Sequence, residues 1–199
     1  VQDECVHHDR PLRYLRKGDD ISGTPWVLFE HDGRDWLTDN YAVWDVDWPC
    51  VGLPMREALG GLGVVKDGQR YLNLEFVGFG EFVFKSSNLD MSTRVKPENV
   101  LTRGGIEVRP TRWCRLFHRP CSAWVRADGA LVWMAHELTG DVLDLHPGLT
   151  FEQDEHSDVA PVRALDGDLV VGALMPMRDM PEIGERMAEL LRAEAKFTV

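Results

Sequence analysis

The chain has 199 residues, of which 44% are hydrophobic and 28% are charged, and its formal net charge is −11. This composition is typical of a folded globular protein and excludes wholesale disorder. The negative net charge excludes a protein that coats nucleic acid through its overall charge. No apolar run approaches the roughly 20 residues of a membrane-spanning helix, so we expect no membrane partner.

Residues 1–24 form a polar lead-in of mixed charge. They lack the apolar stretch of a secretory signal peptide, so a cytoplasmic location is the default expectation. The chain begins at Val1, and the sequence leaves open whether this is the natural start. The four cysteines are spread thinly, which fits thiols in a reducing compartment better than a disulfide framework.

Residues 25–90 are predicted to form a first half made of short strands. Residues 41–48 show the period of two that is typical of a strand with one apolar face, while the other face turns polar towards the end. The turn-rich residues 86–94 are the best candidate for the connection between the halves. The predicted elements of this half are strands at 26–29, 36–37 and 41–48, a short helix at 55–62, and strands at 71–77 and 81–84.

Residues 91–178 are predicted to form the second half. A strand candidate at 106–116 is broken at Pro110, because proline cannot donate a ladder hydrogen bond. Residues 150–158 are acidic and indicate a water-facing loop. The other predicted elements are a helical turn at 97–101, strands at 123–125, 131–134 and 142–145, and a hairpin at 160–178.

Residues 179–199 contain the one convincing helix, which is predicted from Pro181 to about Ala195. Its apolar stripe is formed by four side chains at helical spacing. These are Ile183, Met187, Leu190 and Leu191. We expect this helix to close over a sheet, and the alternative is that it docks on a partner protein.

Asp-Gly pairs punctuate the chain at Asp32, Asp67, Asp128 and Asp166. Such pairs predict tight hairpins, because a two-residue reversal requires positive φ at both central positions. Asp32 lies 96 residues before Asp128, and Asp67 lies 99 residues before Asp166. The spacing predicts an internally duplicated α+β fold. Its sheets are mainly antiparallel and built from Asp-Gly hairpins, with few short helices and one C-terminal amphipathic helix.

The charge is unevenly distributed along the chain. Between Lys85 and Arg126 there are nine Lys or Arg residues and three acidic ones, which leaves +6 in this segment and −17 in the remainder. An acidic body with one basic face suits contact with an anionic partner on that side. The alternative is a surface strand pair whose arginines balance acidic neighbours.

The spacing Cys114-x3-His118-x2-Cys121 supplies three zinc-type ligands, but Pro120 lies inside it and no fourth ligand is close. The pair His136-Glu137 begins like a zinc-protease helix but lacks the second histidine. No nucleophile elbow, phosphate-binding loop or dinucleotide fingerprint occurs. We therefore assign no catalytic residue, metal or cofactor, and a non-enzymatic protein is favoured.

The alternative function is a small enzyme or ligand-binding domain with a pocket between the halves. Metal assistance belongs to this alternative, because several histidines lie in the second half beside Cys114 and Cys121. The histidines are His118, His136, His146 and His156. A dispersed catalytic site is recognised by geometry rather than by spacing.

The stretch Ala160-Pro161-Val162, followed by Val170-Val171 and Met175-Pro176-Met177-Arg178, resembles the closing segment of bacterial DNA polymerase sliding clamps. In that family a Pro-Val strand is followed, after a turn, by a strand that ends in Met-Pro-Met-Arg. The matching stretch covers fewer than 20 residues. Sliding clamps are also duplicated, acidic proteins with a basic inner face.

This resemblance implies a clamp-like or scaffold protein of DNA metabolism, phage-related, that assembles through sheet edges into a dimer or trimer. It implies contact with DNA or with a polymerase-type partner through the basic segment. The residues expected to contact phosphate are Arg94, Lys96, Arg103, Arg109, Arg112, Arg115 and Arg119.

Overall fold

The computed structural model describes residues 26–39, 41–46, 48, 69–78, 81–86, 96–116, 120–136, 139, 142–143, 146–157, 159–178 and 183–196. Within these ranges the protein is mainly antiparallel sheet with helices, so the α+β expectation is confirmed. The chain divides into two compact units, Val1–Pro97 and Glu98–Val199.

Several predicted features lie outside the described residues. They are the lead-in at 1–24, the helix at 55–62, the Asp67-Gly68 turn, most of the connection at 86–94, and the start of the C-terminal helix before residue 183.

The first unit contains a five-stranded antiparallel arrangement within the described residues. Its strands are β1 (Trp26–His31), β2 (Arg34–Thr38), β3 (Ala42–Asp45), β4 (Gln69–Gly78) and β5 (Glu81–Ser86). Strand β1 pairs with both β2 and β4, β2 also pairs with β3, and β4 also pairs with β5. The spatial order is therefore β5-β4-β1-β2-β3.

The turn between β1 and β2 is the predicted Asp-Gly reversal. Asp32 and Gly33 both have positive φ, at 52° and 74°. The turns at Asp128-Gly129 and Asp166-Gly167 differ, because only their glycines have positive φ. At Asp128-Gly129 the loop has three residues, 127–129, and a right-handed turn is followed by the left-handed Gly129. At Asp166-Gly167 the loop has only two residues, Gly167 and Asp168, because Asp166 pairs with Leu169, and positive φ at the first of them is the type II′ pattern.

Strand β3 differs from the prediction of one apolar face and a second face that turns polar towards its end. All four of its residues are buried, including Asp45, which is 2% exposed. Arg34 Nη1 donates to the Asp45 carboxylate at 2.6 Å, and the Arg34 guanidinium lies 4.6 Å from the centre of the Trp36 ring. The buried Asp45 carboxylate is therefore part of an ion pair and is not exposed to water, although its polarity suggested a solvent-facing position.

The second unit contains six strands and two helices among the described residues. They are α1 (Pro97–Leu101), β6 (Ile106–Leu116), β7 (Pro120–Arg126), β8 (Leu131–Ala135), β9 (Thr150–Gln153), β10 (Val162–Asp166), β11 (Leu169–Leu174) and α2 (Glu185–Lys196). All the strand pairings are antiparallel, and the spatial order is β11-β10-β9-β6-β7-β8.

Strand β6 continues through Pro110, where the sequence predicts a break. Its pairing with β7 shifts register between Pro110 and Cys114, so the proline sits at an irregularity instead of ending the strand. At its start, Ile106 and Glu107 pair with β9 on the other side. One long strand thus links the two parts of the second unit's sheet.

Two local predictions in this unit are wrong. Val142 and Leu143 are helical, and the His146 N–H donates to the Val142 carbonyl at 3.0 Å, as in a helical turn. Residues 150–153 form β9 instead of a loop, because Phe151 and Gln153 alternate towards the core. The buried Gln153 side chain donates an amide N–H to the Ala160 carbonyl at 2.7 Å, so this donor has its partner inside the protein.

Helix α2 packs against β6 and β7, which places the C-terminal helix over a sheet. Its buried face is formed by Ala188, Leu191 and Ala195. Two residues of the predicted stripe lie outside that face, since Met187 is 37% and Leu190 is 60% exposed. The small alanine side chains allow the helix to approach the sheet closely, and hydropathy alone does not predict that they form the buried face.

The segment after β11 returns to the opposite edge of the same unit. The Met177 N–H donates to the Trp133 carbonyl of β8 at 2.7 Å, and the Met177 side chain packs on the core cluster that includes Trp133 and Leu191. Pro176 is buried. The sheet therefore curls, and the Met-Pro-Met-Arg segment has a structural role within it.

Neither helix in the described part of the chain has the length and apolar character that crossing a bilayer requires.

We predict that Gly105→Ala destabilises the protein by at least about 2 kcal/mol. Gly105 has φ of 149°, and a Cβ there would overlap the backbone carbonyl of Gln153. Gly104 is the matched control, since its φ is 122° but no atom lies within 4 Å of its Cβ position. Urea unfolding should show a larger loss for Gly105→Ala, and equal losses would contradict the close approach.

We predict that Asp39→Asn is at least as stable as the wild type near neutral pH. Burial raises the pKa of Asp39, although its Oδ1 accepts the N–H groups of Tyr41 and Ala42 at 2.8 and 2.9 Å. A raised carboxyl pKa favours folding below the unfolded pKa, and that contribution is lost as pH rises through the folded pKa. The amide keeps the acceptor and removes the buried charge.

Urea unfolding of wild type and Asp39→Asn from pH 7 towards pH 4 measures this effect, and the advantage of the variant should shrink on acidification. Asp39→Ala serves as the comparison, because it leaves two N–H groups without their acceptor and should cost about 1–3 kcal/mol. A less stable Asp39→Asn at pH 7 would show that the charge itself is favourable.

Candidate functional site

Four of the seven basic residues predicted to contact phosphate have described side chains. Lys96 and Arg112 are exposed, whereas Arg103 and Arg109 are engaged with carboxylates. Arg115 lies on β6 with only its backbone described. Arg94 and Arg119 lie outside the described residues.

The two engaged arginines remain accessible to solvent. Arg103 Nη1 donates to Asp168 Oδ1 at 3.0 Å, and Arg109 makes two parallel bonds to Glu107 at 2.8 and 3.1 Å. Glu107 raises the pKa of Arg109, chiefly through these hydrogen bonds. Exposed pairs of this kind contribute only about 0–1 kcal/mol, so both guanidinium groups can exchange partners at small cost.

A cleft with a volume of about 390 Å³ lies between α2, β6 and the turn that joins β7 to β8. It gathers three guanidinium groups and two carboxylates from these elements. Its lining residues are Glu107, Arg109, Val125, Arg126, Ala127, Asp128, Gly129, Arg192 and Ala195. We call this feature the arginine cleft.

Arg109 and Arg192 are held in place by the backbone around the cleft. Arg192 Nε donates to the Gly129 carbonyl at 2.8 Å, and its Nη1 donates to Glu185 at 2.6 Å. Arg109 Nη1 reaches the Ala195 carbonyl at 3.4 Å, near the C-terminal end of α2, where a cation is favoured. Sequence reasoning missed Arg192, because it lies outside the basic segment.

Arg126 differs from its two neighbours because it is 7% exposed. All five of its N–H donors are engaged. Two of them go to the Asp128 carboxylate, which keeps the pKa of Asp128 below its ordinary value. The other three go to the carbonyls of Asp154, Glu155 and Ser157, at 3.2–3.4 Å. Arg126 is therefore a structural cation with no donor left for a ligand.

The acidic loop that starts at residue 154 is organised around this guanidinium. Its carbonyls point to Arg126, while Glu155 and His156 are exposed and pair with each other at 3.2 Å. Within the described ranges, no group of three or more His, Cys, Asp or Glu side chains is arranged to hold a metal ion.

Ser122 and His136 form a hydrogen bond of 2.9 Å between Oγ and Nδ1. This pair has the composition of a nucleophile and a base. Ser122 is buried in β7, however, and no carboxylate among the described residues orients the His136 ring. The pair therefore explains how a buried hydroxyl is satisfied, without forming a triad.

The described histidines of the second unit lie at separate places. His136 contacts Ser122, and His156 contacts Glu155. Burial lowers the pKa of His146, and the charge of Asp166 opposes that shift. Cys121 is fully buried in the core, whereas the Cys114 side chain and His118 lie outside the described residues.

Comparison of the chain with protein-family models, with curated proteins and with solved structures finds no match.

We predict that Arg126→Met destabilises the protein by about 3–5 kcal/mol, because it removes a buried cation together with its five hydrogen bonds to three carbonyls and a carboxylate. Arg103→Met is the matched control, since it removes a pair that is half-exposed, and it should cost less than about 1 kcal/mol. Urea unfolding measures both. Equal stability of the two variants would show that the buried guanidinium is dispensable.

Proposed function

We propose that the protein is a non-enzymatic, clamp-like or scaffold protein of DNA metabolism that contacts DNA through basic side chains of the segment from Lys85 to Arg126. A polymerase-type protein is the second partner in this proposal. The proposal draws on the uneven charge of the chain and on the exposure of the cations in that segment. It needs no catalytic group.

One observation carries the proposal. Lys96 and Arg112 present exposed cations, and Arg103 and Arg109 are accessible despite their carboxylate partners. These residues belong to a segment with net charge +6 in a chain of net charge −11. Phosphate contacts supply most of the affinity of sequence-independent DNA binding, so a basic face on an acidic body favours a bound duplex on one side.

An internal duplication is part of the same proposal. In each unit the first three described strands form a meander, the fourth pairs with the first, and the fifth pairs with the fourth. This shared order supports two related units. It matches the β2–β3 turn with the Asp128-Gly129 turn, one hairpin away from the correspondence that Asp-Gly spacing suggests.

Assembly into a dimer or trimer through sheet edges completes the proposal. Light scattering tests this part directly, because it measures the molar mass of the protein in solution. A mass of two or three chains supports it, and a strict monomer over a wide concentration range would contradict it.

We predict that Lys96→Glu combined with Arg112→Glu weakens binding to a short DNA duplex and makes it less dependent on salt. Each lost phosphate contact should reduce the slope of log K against log salt by about one, so the double variant should lose about two. Fluorescence anisotropy of a labelled duplex from 25 to 200 mM salt measures both quantities.

Arg186→Glu combined with Arg178→Glu is the control for this experiment. Both arginines are exposed and lie outside the basic segment, and the change in net charge is identical. If this control weakens binding as much as the test variant, only overall charge matters. Absence of binding by the wild type at the lowest salt would overturn the proposed function.

A further inference from the structure

We propose that the arginine cleft is a binding site for a phosphate group of a nucleic-acid backbone, held between Arg109 and Arg192. This inference rests on the proposed function and names the place where one phosphate is bound. Arg192 is not among the residues that the charge pattern of the sequence selects.

The cleft has the size and the chemistry that such a group requires. Its volume of about 390 Å³ leaves room for a phosphate together with the attached sugar. Guanidinium groups bind phosphate oxygens through paired N–H donors, with a geometry that lysine cannot reproduce. The two arginines reach the cleft from different elements, β6 and α2, so an anion between them would join both.

The arginine side chains are oriented before any ligand arrives. The Gly129 carbonyl and Glu185 hold Arg192, while Glu107 and the Ala195 carbonyl hold Arg109. Neither set of bonds uses all five donors of its guanidinium group. Holding the side chains in place reduces the conformational entropy that binding would otherwise cost.

The other charged residues of the cleft either attract a phosphate or compete with it for the N–H donors of the arginines. Arg126 adds a buried positive charge, but its donors are already engaged. Asp128 is paired with Arg126, and Glu107 is paired with Arg109. Glu107 therefore acts as an internal competitor for the donors of Arg109, and removing its charge should strengthen phosphate binding.

Inorganic phosphate is the probe for the site itself. Titration of the full chain, followed by the backbone amide resonances of residues 127–129, should give a saturable shift. Arg192→Ala should weaken binding about tenfold, because it removes a charge-assisted contact. Glu107→Gln should strengthen binding about two- to fivefold. Arg186→Ala, on the exposed side of the same helix, should leave the affinity within about twofold.

Circular dichroism establishes whether each variant is folded. If Arg192→Ala loses its helix, Glu107→Gln still decides the matter, because it changes a rim carboxylate and predicts a gain. No shift at residues 127–129, or equal affinities of Arg192→Ala and Arg186→Ala, would overturn the inference. So would Glu107→Gln binding phosphate no more tightly than the wild type.

A second arm with a labelled DNA duplex separates this inference from the proposed function. Duplex binding that Arg192→Ala weakens and Glu107→Gln strengthens supports both. Duplex binding that neither substitution changes overturns the phosphate site and leaves the proposed function standing. Phosphate binding without duplex binding supports an anion site and overturns its assignment to a nucleic-acid backbone, together with the proposed function.

Discussion

The second unit depends on the continuity of strand β6 through its register shift. The strand pairs with β9 through its first residues and with β7 on both sides of Pro110, so it joins two parts of a curled sheet. Helix α2 packs across β6 and β7, and the Arg112 N–H donates to Glu194 of that helix at 2.7 Å. Sheet curvature, helix position and the arginine cleft therefore all follow from one irregular strand.

The arginines around the cleft differ in burial, which separates the one with a structural role from those that are candidates for ligand binding. Arg126 is surrounded by five acceptors and organises the loop that starts at Asp154, so its charge is used within the fold. Arg109 and Arg192 lie at the rim of the cleft, and their hydrogen bonds use fewer than the five N–H donors of each guanidinium group. All three residues are arginines, so the difference between them lies in their solvent exposure and in the number of N–H donors that remain unused.

Local patterns predicted much of the fold, because turns and amphipathic strands carry short-range signals. The Asp32-Gly33 hairpin, the strands on both sides of Asp128-Gly129 and the C-terminal helix all occur as elements. The failures have a common cause. Asp45 and Gln153 are polar residues that are buried and form hydrogen bonds to partners inside the protein, whereas their polarity predicted exposure to solvent. Such partners lie several residues away in the chain, and the hydrophobic periodicity of the sequence does not reveal them.

The candidate site could be predicted only in part. The excess of basic residues on one segment can be counted, and it includes Arg109. The sequence by itself determined the strand and helix periods, the turn positions and the uneven charge, because these depend on neighbours within a few residues. Only the tertiary structure decided that Arg192 joins Arg109 at one cleft and that Arg126 is consumed inside the fold. Those facts depend on residues far apart in the chain, which no local pattern records. Arg192 lies 83 residues after Arg109, and the carbonyls that engage Arg126 lie 28 to 31 residues after it.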